Sequence, residues 1–401
     1  YPGEKTLDAR GMLVMPGMIC AHTHFYSAFA RGIPLRGGAP PADFPAILER
    51  LWWRLDSALR PEDIRASAEV CLLEAIRHGT TTLIDHHASP RCVEGALDII
   101  AEAVEAAGLR ACLCYEVSER EGREAALAGI RENARFIRRC RREANPQLAG
   151  MMGLHASFTL SDESLEMAAG MARDLDAGCH LHVAEDKSDV ADSLKRSGLR
   201  VVERLHRAGV LNERAIAAHC VHVDAYEIDL LRQCDAGVAH NPRSNMHNAV
   251  GAAPAPRMLR DRIRVGLGND GFSNNMFSEM SAAYLVHKLA EGDPRIMPAD
   301  QVVNMAFANN RKIVSSLFPA EVGILAPGAM ADVILLDYYP PTPLTADNLA
   351  GHILFGIDGS QVNTTICGGK ILMVDRELTT LDEKRVVAHA RQLAGKLWAR
   401  Y

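Results

Sequence analysis

The sequence predicts an α/β protein built on a (β/α)8 TIM barrel, with a small antiparallel β-unit formed from the two ends of the chain. Three observations carry that expectation. From about residue 60 onward, amphipathic helical stretches alternate with short apolar strands, the pattern of repeated βα units on a parallel sheet. Several apolar runs end on ionisable residues, at His22 and His24, His182, His219 and Asp270, where a buried strand would emerge into a site. After Asp332 the alternation gives way to short strands and glycine turns with no long helix between them.

The first strand is expected over 13–24, where the run Leu13-Val14-Met15-Pro16-Gly17-Met18-Ile19 leads into His22-Thr23-His24. Residues i and i+2 of a strand face the same side, so the two imidazoles would project together as a pair suited to a metal. A helix over 61–78 starts on Pro61-Glu62-Asp63 and stops at Gly79. The remaining strands are expected over 80–85, 109–115, 149–155, 179–184, 214–219, 237–240 and 263–270. Eight βα repeats across about 300 residues fit a closed barrel, whose site lies at the carboxyl ends of its strands. The terminal unit takes strands from 333–337 and 364–375, with residues 5–12 able to add another, and a final helix over 381–398 closes the chain. The expected division is 1–12 and 321–401 in the small domain, and 13–320 in the catalytic one.

A chain of 401 residues has ample capacity for a core, and its net charge of −6 gives no electrostatic footprint for nucleic acid or an anionic membrane. The arginine-rich stretch 135–142 reads as a solvated helix face. No run reaches the roughly 18 apolar residues of a membrane span. No signal-peptide pattern is read at the start, where the sequence opens on Tyr1 and not Met. Ten scattered cysteines without a Cys-x-x-Cys pair suit buried thiols in a reducing cytoplasm.

The segments 16–24, His182-Val183-Ala184-Glu185, Ala218-His219-Cys220-Val221-His222, His240-Asn241-Pro242-Arg243-Ser244-Asn245 and Gly268-Asn269-Asp270-Gly271 resemble the metal-dependent amidohydrolase superfamily, in its deaminase and chlorohydrolase branch. The stretch 323–332 is similar to that family's entry into a small β-sandwich. A closer similarity, through His24-Phe25-Tyr26-Ser27, 51–56, 84–90 and 241–246, is to the SsnA-type aminohydrolases. The resemblance implies a metal held by His22, His24, His182 and Asp270. Three imidazoles and a carboxylate suit Zn²⁺, and Fe²⁺ accepts the same donors. Strand four ends in His155 and not in the lysine that binuclear members use to bridge two metals, which implies a single ion.

The implied reaction replaces an exocyclic amine of a purine-like heterocycle by attack of metal-bound hydroxide. Glu185 would shuttle protons, with His219 and Asp270 holding the attacking water. Hydrolysis of a cyclic amide, displacement of chloride from a triazine-like ring, and an inactive metal-stabilised scaffold are the alternatives. For substrate contacts the residues leave two readings open. His155 is a substrate contact or a core histidine; Arg243 grips a carbonyl or carboxylate, or makes a structural salt bridge. Phe25, Trp52 and Trp53 stack on a flat ring or pack in the core. Cys114-Tyr115-Glu116 stands where adenosine-derivative deaminases of the branch tend to carry an arginine. Glu116 there would accept hydrogen bonds from ring N–H groups, which favours a compact free base. The expected partner is a small heterocyclic molecule, and the expected assembly a homodimer.

Overall fold

The computed structural model describes residues 6–35 and 39–401. Its strands are, in chain order, β1 (Leu13–Pro16), β2 (Met18–Thr23), β3 (Thr80–His87), β4 (Arg110–Tyr115), β5 (Leu148–Gly150), β6 (Met152–Ala156) and β7 (Cys179–Val183). They continue as β8 (Ile216–His219), β9 (Gly237–His240), β10 (Val265–Leu267), β11 (Val333–Leu336), β12 (Val362–Cys367), β13 (Lys370–Val374) and β14 (Glu377–Leu378).

Two parallel sheets position the site. One has the order β2-β3-β4-β5 and the other β10-β9-β8-β7-β6. They meet at both edges through isolated parallel bridges, Thr23 with Asp270 and Val117 with Leu154. The expected fourth strand is thus divided at Met151 between the two sheets. Every residue of β2, β3, β4 and β7 is buried, as in parallel strands covered on both faces, and their side chains are accordingly mostly apolar or small away from the site, with Arg110 at the start of β4 the charged exception.

The strand expected over 13–24 is two strands in different sheets. Leu13–Pro16 pairs antiparallel with β11, Leu13 opposite Leu336, whereas Met18–Thr23 pairs parallel with β3. Gly17 makes the switch: a Cβ there would lie 2.3 Å from Thr81 Oγ1, so only glycine lets the chain pass that close. Of the opening segment, residues 6–12 form no strand, and residues 1–5 lie outside those described.

Among the described residues the chain's ends build one antiparallel sheet, β1-β11-β12-β13-β14, turned by Gly368-Gly369 between β12 and β13. It is anchored by a buried ion pair between Arg110 of β4 and Asp332. Helix Pro61–Arg77 starts with proline in its first turn and Asp63 accepting from Arg60 N at 2.9 Å. The terminal helix Glu383–Arg400 lies against it, with ion pairs Arg77–Glu383 and Arg400–Asp63 at opposite ends. No described helix is long and apolar enough to cross a membrane, and all ten cysteines are free.

Candidate active site

The candidate site lies at the carboxyl ends of the parallel strands. There β2 delivers His22 and, one residue on, His24; β7 delivers His182, β8 delivers His219, and the turn after β10 delivers Asp270. The exits are tight. Ala184, His219, Cys220 and Asp270 have φ of 46°, 72°, 50° and 54°, in the left-handed region that non-glycine residues seldom adopt. Such strain costs about 1–3 kcal/mol per residue and gathers where a site demands an exact direction from a side chain.

His22, His24, His182 and Asp270 bring four ligand atoms within 4.8 Å of one another. His24 Nδ1 donates to the His86 carbonyl at 2.5 Å, and His182 Nδ1 to the His155 carbonyl at 2.9 Å. A carbonyl only accepts, so each Nδ1 carries its proton and the two Nε2 atoms are left facing each other 3.1 Å apart. Two such nitrogens cannot both present bare lone pairs at that separation, so a cation belongs between them, either a proton on His24 or a metal ion. His22 adds a buried Nε2 with no hydrogen-bond partner, its Nδ1 being bonded to His180 Nε2 at 2.9 Å. Asp270 Oδ1 is 2.9 Å from His24 Nε2 and 3.5 Å from His22 Nε2. A buried N3O donor set with each imidazole tied through its other nitrogen fits a divalent ion such as zinc.

Charge in this cluster is unevenly held. Burial drives His22 down to about 3. His24 also feels burial, but its bond to Asp270 overcomes it and lifts the ring to about 9. Against burial, bonds from His22 and His24 keep Asp270 well below the carboxylate range. Glu185 moves the other way: burial, then the charge of Asp270, push its carboxyl well above the usual value. Glu185 Oε2 lies 3.5 Å from His219 Nε2, which has no hydrogen-bond partner. These two groups and Asp270 form a second tight cluster beside the first.

Above the cluster is a cleft of about 610 Å³ including its open mouth, lined by Glu185 and Asp270 at the floor and by Glu116, His155, Trp53 and Asn248 on its walls. His86 Nε2 faces the His180 carbonyl at 3.1 Å and must donate there; its Nδ1 faces Glu116 Oε2 at 3.1 Å, so one proton is shared between imidazole and carboxyl. Burial opposes charge on Glu116, but His155 and His86 hold its carboxyl well below the usual range. Glu116 Oε1 is left facing His155 Nε2 at 3.7 Å.

Of the contacts left open by the sequence, Glu116, His155, Trp52 and Trp53 line the cleft. Phe25 does not; it is core, and Tyr26 lines the wall instead. Arg243 does not reach the cleft either. Its guanidinium is spent on Glu279 at 2.5 Å and on the Ser273 hydroxyl and carbonyl, and it lies over Phe272. Glu279 is fully buried beneath it, which makes the salt-bridge reading of Arg243 the one realised. The neighbours of Arg243 went unassigned. Ser244 donates to Asp270 Oδ2, Asn245 Oδ1 accepts from His219 Nδ1 at 2.8 Å, and Asn248 Nδ2 donates to Glu185 Oε1 at 3.3 Å. The signal was the polar spacing after Pro242, two of whose members lie in a stretch already singled out. Asp56, paired with Arg120 at 2.7 Å on the cleft wall, likewise lies in the singled-out stretch 51–56.

The amidohydrolase family profile matches residues 13–372. The chain belongs to the amidohydrolase family. Among its amidohydrolase relatives are the 5'-deoxyadenosine deaminase of Methanosarcina mazei, 36% identical over 99% of this chain and 89% of that one, and the 5-methylthioadenosine/S-adenosylhomocysteine deaminase of Syntrophomonas wolfei, 37% identical over 98% and 89%. Among solved structures, a zinc-bound adenosine deaminase from Xanthomonas campestris superposes with a TM-score of 0.85 at 26% identity, over 96% of this chain and 86% of the other. A zinc complex of atrazine chlorohydrolase from Arthrobacter aurescens superposes at 0.83 with 23% identity, over 98% and 90%, a likeness of fold. As an amidohydrolase with relatives of this kind, the chain is an enzyme that hydrolyses carbon–nitrogen bonds.

Proposed function

We propose that this chain is a single-metal aminohydrolase that removes an exocyclic amine from a purine-like heterocycle, its catalytic unit a closed (β/α)8 barrel over 13–320 and its terminal segments a sandwich-type accessory domain. The observation that carries the reading is the pair of facing Nε2 atoms on His24 and His182, 3.1 Å apart, beside a Glu185 carboxyl raised by burial. His22, His24, His182 and Asp270 would hold the ion. When bound, it would supply activation of a water by lowering its pKa. The chain's own groups do the rest. Glu185, its carboxyl raised by burial, delivers its proton to a ring nitrogen, takes one from the attacking water and passes it to the departing amine, and regains one from the new hydroxyl as the carbonyl forms. His219, with a bare Nε2, and Asp270 orient the attacking water.

The relatives' names bring adenosine derivatives to this chain as one substrate class. The cleft wall favours another. His155 Nδ1 is hydrogen-bonded to Thr159 Oγ1 at 2.8 Å, and that hydroxyl's own proton goes to the Ala156 carbonyl at 3.2 Å. Nδ1 therefore donates, and with burial holding the ring neutral at a value of about 4, Nε2 is a bare acceptor. Together with Glu116 Oε1 it sets two acceptors 3.7 Å apart. Apart from its amine, the ring of an adenosine derivative offers lone pairs at its edges, and acceptor facing acceptor in a buried site is costly. A free base or lactam-type ring offers N–H donors there. The reading thus takes a compact, flat amine with ring N–H groups, acting in a cytoplasmic homodimer. The test is kcat/KM for free bases and lactam-type amines beside the matching nucleosides, followed by ammonia release. A higher kcat/KM for the nucleosides would overturn the substrate class, and release of no ammonia from any of them would overturn the reaction.

A further inference from the structure

The short helix Pro242–His247 touches no part of the metal cluster's imidazoles, yet it and its C-cap residue Asn248 contact all three groups given chemical work above. Pro242 in its first turn and the bond from Asn245 N to the Asn241 carbonyl at 3.0 Å fix where the helix begins, directly after β9. The bond from Val250 N to the Asn245 carbonyl at 3.1 Å pins its exit. Ser244, Asn245 and Asn248 are each buried, so their hydrogen bonds are not exchanged for water.

The donors run in one direction. The amide of Asn248 gives one proton to Glu185 Oε1 at 3.3 Å and the other to Ser244 Oγ at 3.4 Å, and the Ser244 hydroxyl gives its proton to Asp270 Oδ2. Glu185 Oε1 accepts from Asn248, which leaves Oε2 as the oxygen that looks at His219. Asn245 completes the arrangement: its carbonyl oxygen takes the Nδ1 proton of His219, which leaves the His219 lone pair on Nε2, 3.5 Å from Glu185 Oε2. Glu185 Oε2 and the lone pair of His219 Nε2 then stand side by side, closer together than a water between them would allow.

We propose that this helix is the positioning element of the reaction: Asn245 sets the tautomer of His219, while Asn248 fixes which oxygen of Glu185 faces His219 and Ser244 holds Asp270 in place. The proposal rests on the aminohydrolase reading for its consequence, but its central claim, the His219 tautomer, is read without turnover. In protein labelled with 15N-histidine, His219 is expected to show a slowly exchanging Nδ1–H signal, identified by its loss in His219→Gln. Asn245→Ala removes that signal, keeps bound zinc at one equivalent, and lowers kcat about 10–100-fold with KM nearly unchanged, the usual penalty for losing such an orienting partner. Asn245→Asp, nearly isosteric and able only to accept, retains the signal and restores most of kcat. Persistence of the Nδ1–H signal in Asn245→Ala, or its loss in Asn245→Asp, overturns the proposal, the second because it would mean that the amide nitrogen faces the ring. If no heterocyclic amine is turned over by the parent enzyme, the aminohydrolase reading fails, while the tautomer result stands or falls by itself.

Discussion

Glu185 and Asp270 are two carboxyls a few ångströms apart with opposite fates, and the difference lies in what each touches. Asp270 pairs with His24 at 2.9 Å and accepts from Ser244, so its charge is answered and its carboxyl stays ionised. Glu185 has one long bond from Asn248 and a like charge next door, so burial wins and it keeps its proton. Glu185→Gln is therefore expected to retain the metal and to lose about 10²–10⁴ in kcat, because the amide has the shape of the acid without its exchangeable proton. Metal analysis with steady-state kinetics checks it, and full activity would hand the proton transfer to another group. Arg243 illustrates the opposite case, a charged residue that looked available and is not. Its partner Glu279 is fully buried and pushed up to about 7, burial prevailing over the arginine's charge. Arg243→Met strands that carboxyl, and removing one partner of a buried pair costs about 3–5 kcal/mol. We expect a lower midpoint in urea with KM little altered; a large rise in KM at unchanged stability would restore a substrate role to Arg243.

At the scale of elements, the strand ends carry the site because each exit is forced into one direction by a close neighbour. Gly268, after β10, is the clearest instance: a Cβ there would fall 2.8 Å from both His22 Cβ and the His22 carbonyl. Gly268→Ala is expected to push the first histidine of the cluster aside, lowering stability by about 1–3 kcal/mol, as overpacking does, and weakening zinc retention. Thermal unfolding and zinc competition with a chelator test this, and an alanine variant that holds zinc as tightly as the parent would contradict it. The sequence was most legible where a strand ends on an ionisable residue. His22, His24, His182, His219 and Asp270 could be found that way because a charge at the end of an apolar run has nowhere else to go. The division of 13–24 into β1 and β2 was not legible, since an apolar run looks alike whichever sheet it pairs with and Gly17 declares itself only against Thr81. Nor was the use of Ser244, Asn245 and Asn248. Small polar side chains after a proline also read as an ordinary helix start, and their partners lie 26 to 63 positions away in sequence.

Over the whole molecule, the small antiparallel sheet and the parallel sheets are fastened together by one buried ion pair. Arg110, at the amino end of β4, is 1% exposed and Asp332 is not exposed at all. The aspartate is used on every side. It pairs with the Arg110 guanidinium, its Oδ1 accepts from Gly368 N at 2.8 Å in the β12–β13 turn, and its carbonyl accepts from Gly17 N at 2.9 Å where the chain leaves β1 for β2. A single residue thus joins the turn of the small sheet to the strand that begins the ligand run, so the position of His22 depends on the terminal sheet being seated. Asp332→Ala leaves Arg110 buried without its partner, a loss of about 3–5 kcal/mol. We expect the variant to unfold at lower urea and to release zinc more readily, with both changes following the same transition. Replacing both residues by apolar ones of similar volume, Arg110→Met with Asp332→Leu, should recover much of the stability, since removing a buried pair together avoids the stranded charge. It should not recover the bond from Gly368 N, which needs the carboxylate, so zinc release would stay faster than in the parent. Equal zinc retention in the double variant would show that the loss in Asp332→Ala comes from the stranded Arg110 charge and not from the junction around Asp332.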